Sequence, residues 1–154
     1  MHRSSGKAYL VGGSDVHDVW SFESARARTF VHVEGELNND KFVAALLAGR
    51  AYASQGPLVF PEIHFGSTIA AAAGEEISLQ YEVQAVTGLQ SVTLVESGRP
   101  LAEKRLSGER ERLPLGFLVR PLQDTWYSLV VRDIDGKIAY TNPVWVTIAG
   151  RAGE

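Results

Sequence analysis

The stretch Gly12-Gly13-Ser14-Asp15-Val16-His17-Asp18 carries a carboxylate and an imidazole two residues apart. In an extended chain side chains alternate, so Asp15 and His17 would reach the same side and meet one divalent cation, or two adjacent ones. The preceding glycines let the backbone approach closely. Neutral imidazole with carboxylate suits zinc, manganese or iron. Two ligands are not a site, because tetrahedral zinc takes at least three protein ligands plus water. Judged on spacing alone, a glycine-rich turn capped by Asp15 or Asp18 accounts for the stretch more simply.

Other candidates carry less. His32 alternates with Val31 and Val33 and reads as a hydrogen-bonded structural histidine, and His64 as an exposed strand residue. Glu34 and Glu36 share a face and read as a solvated edge, with supporting acids for a metal as the alternative. Asp133, Asp135 and Gly136 resemble half of a calcium loop, but the later ligands are missing. A hairpin turn explains them. Trp126, Tyr127 and Trp145 would serve either as core or as a carbohydrate platform. No Ser–His–Asp arrangement or phosphate-binding glycine loop stands out.

These residues sit in 154 residues, enough for one domain or a small domain with an extension. The chain is 45% hydrophobic, so a real core is expected rather than disorder. Formal net charge is −3 and the basic residues are scattered, which argues against a basic-patch nucleic-acid binder. Without cysteine, any metal must be held by His, Asp, Glu or backbone oxygen. No apolar run approaches the ~20 residues of a membrane span. Met1 to Leu10 shows no long apolar signal region. The cytoplasm is therefore favoured, with export left open.

Two halves differ in texture. Residues 1–61 read as strand, loop, strand, helix, strand. Ala8–Val11 is a short apolar run with a buried-strand pattern, and Thr29–Val33 is β-branched and aromatic. Asn38 and Asn39 are good N-caps. Phe42, Val43, Leu46 and Leu47 then recur at helical spacing up to Gly49, predicting a helix over 40–48. Ala51–Ser54 reads as a short strand. A strand–helix–strand piece of this kind normally belongs to a larger parallel sheet.

Residues 62–150 read as strands only. Ile77, Leu79, Tyr81, Val83 and Ala85 share one face, and Leu113, Leu115, Phe117 and Val119 repeat the period of two. Residues 126–134 are apolar on both sides and suggest a central strand. Asp135-Gly136 predicts a hairpin into Lys137–Thr141. Roughly seven strands in about 90 residues predict an immunoglobulin-like antiparallel β-sandwich.

Taken in order, several stretches resemble one family. Gly13-Ser14-Asp15-Val16-His17 is similar to the last metal-binding motif of PHP (polymerase and histidinol phosphatase) phosphoesterases. Arg28–Val31, Gly49–Pro57 and Thr141–Val144 resemble the carbaryl-hydrolase-like subgroup, in which a sandwich follows the barrel. The resemblance covers nearly the whole chain. It implies a divalent metal (Zn, Mn or Fe) held in part by Asp15 and His17, and hydrolysis of an ester or phosphoester by metal-bound hydroxide. The opening H-x-H motif and the other ligands of the family have no counterpart here. Residues 1–61 would then be a strand–helix–strand remnant of the PHP (β/α) barrel, and the chain by itself would be inactive. The partner would be the rest of that barrel, and an orphaned apolar face would favour a homo-oligomer. The competing reading is a non-catalytic sandwich that binds protein or carbohydrate through loops or an edge strand. A purely structural sandwich packed on a barrel is the third.

Overall fold

The computed structural model describes residues 7–18, 20 and 26–149. Its elements are β1 (Arg28–Val31), α1 (Asn39–Leu47), β2 (Ala51–Ser54), β3 (Leu58–Pro61), β4 (Thr68–Ala71), β5 (Ile77–Gln84), β6 (Leu89–Glu96), β7 (Arg99–Arg105), β8 (Leu113–Val119), β9 (Thr125–Asp133), β10 (Ile138–Thr141) and β11 (Val144–Ile148). They form a mainly β, two-sheet sandwich. One sheet has eight strands and the other has three, in the order β3-β5-β8.

β9 organises the large sheet. Along one edge it pairs with β6, which carries β7 at the rim. The other edge is divided, with residues 130–132 pairing with β10 and residues 125–127 with β11. The division falls at Asn142-Pro143, where the chain leaves one strand and starts the next. A proline cannot donate to a ladder, so a break at this point suits it. β10 continues to β2 and then β1, while β11 continues to β4. The β4–β11 pair is parallel, a departure from the expected all-antiparallel sandwich.

Alternation builds the core. β5 buries Ile77, Leu79, Tyr81 and Val83 and exposes Ser78, Gln80 and Glu82. These face Val92, Leu94, Tyr127, Leu129, Val131, Val144 and Val146 of the other sheet. Each fully buried Val or Leu stabilises the fold by about 1.5–3 kcal/mol. β7 is exposed along its whole length, and its Arg99, Pro100, Glu103, Lys104 and Arg105 discourage pairing with another chain.

The expected parallel sheet of the first half is not formed. β1 and β2 are antiparallel neighbours and belong to the sandwich sheet. α1 lies within their connection rather than crossing over a parallel pair. β3 likewise pairs with β5, so both sheets run across the division expected at residue 61. The physical reason is that β10 leaves an open edge, and β2 then β1 complete it. Ala8–Val11 does not form a strand, and Leu10 and Val11 are exposed.

α1 follows its sequence signals. Asn38 accepts a hydrogen bond from the Lys41 N–H, as an N-cap should. Gly49 ends the helix at φ 75°. Yet α1 buries only Ala45, while Phe42, Val43, Leu47 and, just before the helix, Leu37 remain exposed. Among the described residues no helix is long and apolar enough to cross a membrane.

Candidate functional site

Three side chains that can ligate a metal converge where β1 ends. His32 follows β1, and its N–H still donates to the Arg50 carbonyl at 2.8 Å, prolonging the β1–β2 ladder. Glu34 lies two residues on and points the same way in the extended chain. His64 arrives on the loop after β3. That loop is fixed by the Gly66 N–H donating to Pro143 (2.7 Å), the Trp145 N–H donating to Ser67 (2.9 Å), and by buried Phe65. Gly66 has φ 82°, and a Cβ there would overlap the Ala48 carbonyl oxygen, so only glycine suits the position.

The ligating atoms of His32, Glu34 and His64 all lie within 4.8 Å of one another. The two imidazoles face each other with centroids 4.1 Å apart and planes tilted by 31°. His64 Nε2 is 4.0 Å from Glu34 Oε1, which also accepts from Arg50 Nη1 at 2.9 Å. His64 Nδ1 is buried without a hydrogen-bond partner. Desolvation lowers the pKa of His64 below its ordinary value. The nearby His32 and Arg50 lower it further, and Glu34 opposes them.

The histidines open onto a cleft of about 310 Å³ walled by Phe30, Tyr52, Phe60 and Phe65, with Arg50 at its edge. Phe30 stacks on Tyr52 at 5.0 Å, and Phe65 meets Tyr52 edge-on at 6.2 Å. The Tyr52 hydroxyl accepts from the Val59 N–H, and burial raises its pKa. The cleft is lined mainly by apolar side chains with a few polar groups among them, as small-molecule sites generally are.

The expected ligands Asp15 and His17 lie elsewhere. Both are exposed on a segment without regular structure, and Asp15 has φ 51°. The extended geometry that would align them is therefore not present. Among the described residues they meet no third donor that would complete a metal site. The adjoining segment is nonetheless anchored. Buried Asn142 accepts from the Leu10 N–H at 2.6 Å and donates to the Leu10 carbonyl at 3.1 Å. Thr29 does the same for Gly12, whose Cβ would strike Ala53.

His64 lies on a loop, not a strand, and His32 is exposed rather than held in a hydrogen-bonded pocket. Asp133 is buried and accepts from the Asp135 and Lys137 N–H groups and from the Thr87 hydroxyl. Its oxygens are thus committed to the hairpin. Tyr127 is core, whereas Trp126 and Trp145 are half-buried on the outer face. Their rings tilt by 55° and Lys7 sits over Trp145, which spoils a flat carbohydrate platform.

No family model matches the chain, and no curated protein does. Among solved structures it is similar to the fibronectin(III)-like modules of Clostridium thermocellum CbhA, with 13% identity and a TM-score of 0.43 over 59% of this chain and 95% of that one. It is also similar to a Jonesia denitrificans lytic polysaccharide monooxygenase, with 11% identity and a TM-score of 0.44 over 82% of this chain and 79% of that one.

Proposed function

We propose that this chain is a non-catalytic β-sandwich module that docks, through the apolar face of α1, onto a larger catalytic partner. The observation that carries this reading is the exposure of Phe42, Val43, Leu47 and Leu37 around a helix that buries only Ala45. A helix with an apolar stripe gains most of its stability by covering it. Contiguous exposed apolar side chains mark interaction surfaces.

The resemblance of Gly13–His17, Arg28–Val31, Gly49–Pro57 and Thr141–Val144 supports a PHP-type metal-dependent hydrolase as that partner, within the same polypeptide. On this reading Asp15 and His17 would add two ligands to a divalent metal centre whose other ligands the barrel supplies. They would do so only after rearranging from their present geometry. Asp15 and His17 would hold part of that metal, and the chemistry it would supply is Lewis-acid assistance to hydrolysis of an ester or phosphoester. This chain's own part would be to hold those two ligands and to frame the barrel. Where the partner is missing, a second copy of the chain covers the α1 face.

Translating the DNA upstream of the Met1 codon tests the parentage. An in-frame H-x-H followed by further histidines and acidic residues supports it, and a stop codon with no such motif overturns it. The isolated chain is expected not to hydrolyse p-nitrophenyl phosphate with zinc or manganese. Robust turnover would contradict a non-catalytic role.

A further inference from the structure

We propose that His32, Glu34 and His64 form a second, self-contained site for a divalent transition metal at the mouth of the aromatic cleft. The inference is independent of the PHP parentage, because all three ligands belong to the sandwich and none to the Asp15–His17 segment. Two imidazoles and one carboxylate are a common donor set for zinc with an open fourth position, and also suit nickel, cobalt or copper.

Geometry favours it. Ligands at about 2.1 Å around a tetrahedral zinc stand roughly 3.4 Å apart. His64 Nε2 and Glu34 Oε1 are already 4.0 Å apart, and all three ligating atoms lie within 4.8 Å. The closure needed is about 0.6 Å for that pair and at most about 1.4 Å for the others. Rotation of His32 and Glu34 supplies it, because both side chains are exposed. His64 is held in place by its loop and the neighbouring Phe65 core contact.

His64 Nδ1 has no hydrogen-bond partner, so the outer-sphere bond that usually orients a ligating imidazole is not made, and the ring is placed by its loop. Two facing imidazoles also gain little without a shared cation, and would repel if protonated. Arg50 is the opposing feature, since it is paired with Glu34 Oε1. It either orients the carboxylate through that oxygen or swings aside when the metal binds. The fourth position would open on the side lined by both histidines, where the cleft begins.

The test is calorimetric titration of the chelator-stripped chain with Zn(II), and optical titration with Co(II), at neutral pH. One equivalent per chain is expected. His32→Ala and His64→Ala should each weaken binding by more than about 100-fold, beyond the loss expected for an outer-sphere group. Asp15→Asn combined with His17→Ala should leave the affinity unchanged. Circular dichroism checks that each variant remains folded, and His32, being exposed, is the safer of the two histidines to remove. Absence of saturable binding overturns the site. So does binding that survives both histidine substitutions, or that disappears with Asp15 and His17. Saturable binding of inorganic phosphate in place of metal would mark an anion site of Arg50 and the histidines, and would also overturn it.

Discussion

His32 and His64 reach each other from the end of β1 and from the loop after β3, with ring centroids 4.1 Å apart. The contact exists because β1 and β2 complete the edge of the large sheet while β3 crosses to the small one. The two histidines therefore mark the corner where the sheets meet.

This contact has a pH signature in metal-free protein. Desolvation first, and then the His32 and Arg50 charges, hold the pKa of His64 below its ordinary 6.5 in the folded state. The unfolded chain binds more protons between the two values, so stability rises with pH there. The contribution is complete above about 6.5 and is lost as pH falls toward the folded value. Thermal melts with chelator should lose midpoint as pH falls below about 6.5, with a flatter profile for His64→Gln. Proton NMR should place the His64 titration below that of a free histidine. A midpoint above 6.5 would contradict the desolvated environment.

Asp133 should be a stability residue, not a metal ligand. Its carboxylate satisfies two backbone N–H groups and the Thr87 hydroxyl in a buried hairpin. Removing a buried charged acceptor and orphaning its donors should cost about 3 kcal/mol in Asp133→Ala. Urea denaturation measures this. Calcium should not raise the melting temperature of the native chain, and a calcium-dependent rise would restore the loop-ligand reading.

Gly66→Ala should be costly for two reasons: its φ is 82°, and its Cβ would collide with the Ala48 carbonyl. The loss should be roughly 2 kcal/mol or more. Because the loop carries His64, metal affinity at the cleft should fall as well. Gly98, with φ 83° and open space around it, is the control. Its alanine variant should lose only about 1 kcal/mol, the conformational part alone.

Most of the sandwich was legible because its strands are half-buried. The alternation in Ile77–Ala85 and Leu113–Val119 reports a core on one side, and Asn38 with Gly49 bounds α1 within one residue. β7 could not be read this way. Arg99–Arg105 buries nothing and is a strand only because β6 pairs with it. β1 and β2 carried the right local pattern but the wrong inference, because the partner of a strand is not encoded in its own residues. The cleft site was half visible. His32 and Glu34 have the same i, i+2 spacing as Asp15 and His17. His64 joins them only through the path of β2 and β3, which no local spacing reveals.

Docking through α1 is the central claim, and sedimentation velocity in the presence of chelator tests it most directly. The chain should associate with rising concentration as copies cover the exposed Phe42 and Leu47. Phe42→Glu combined with Leu47→Glu should sediment as a monomer and keep the native melting temperature, since neither side chain is buried. A clean monomer for the unsubstituted chain at high concentration, or association that persists in the double variant, would contradict the account.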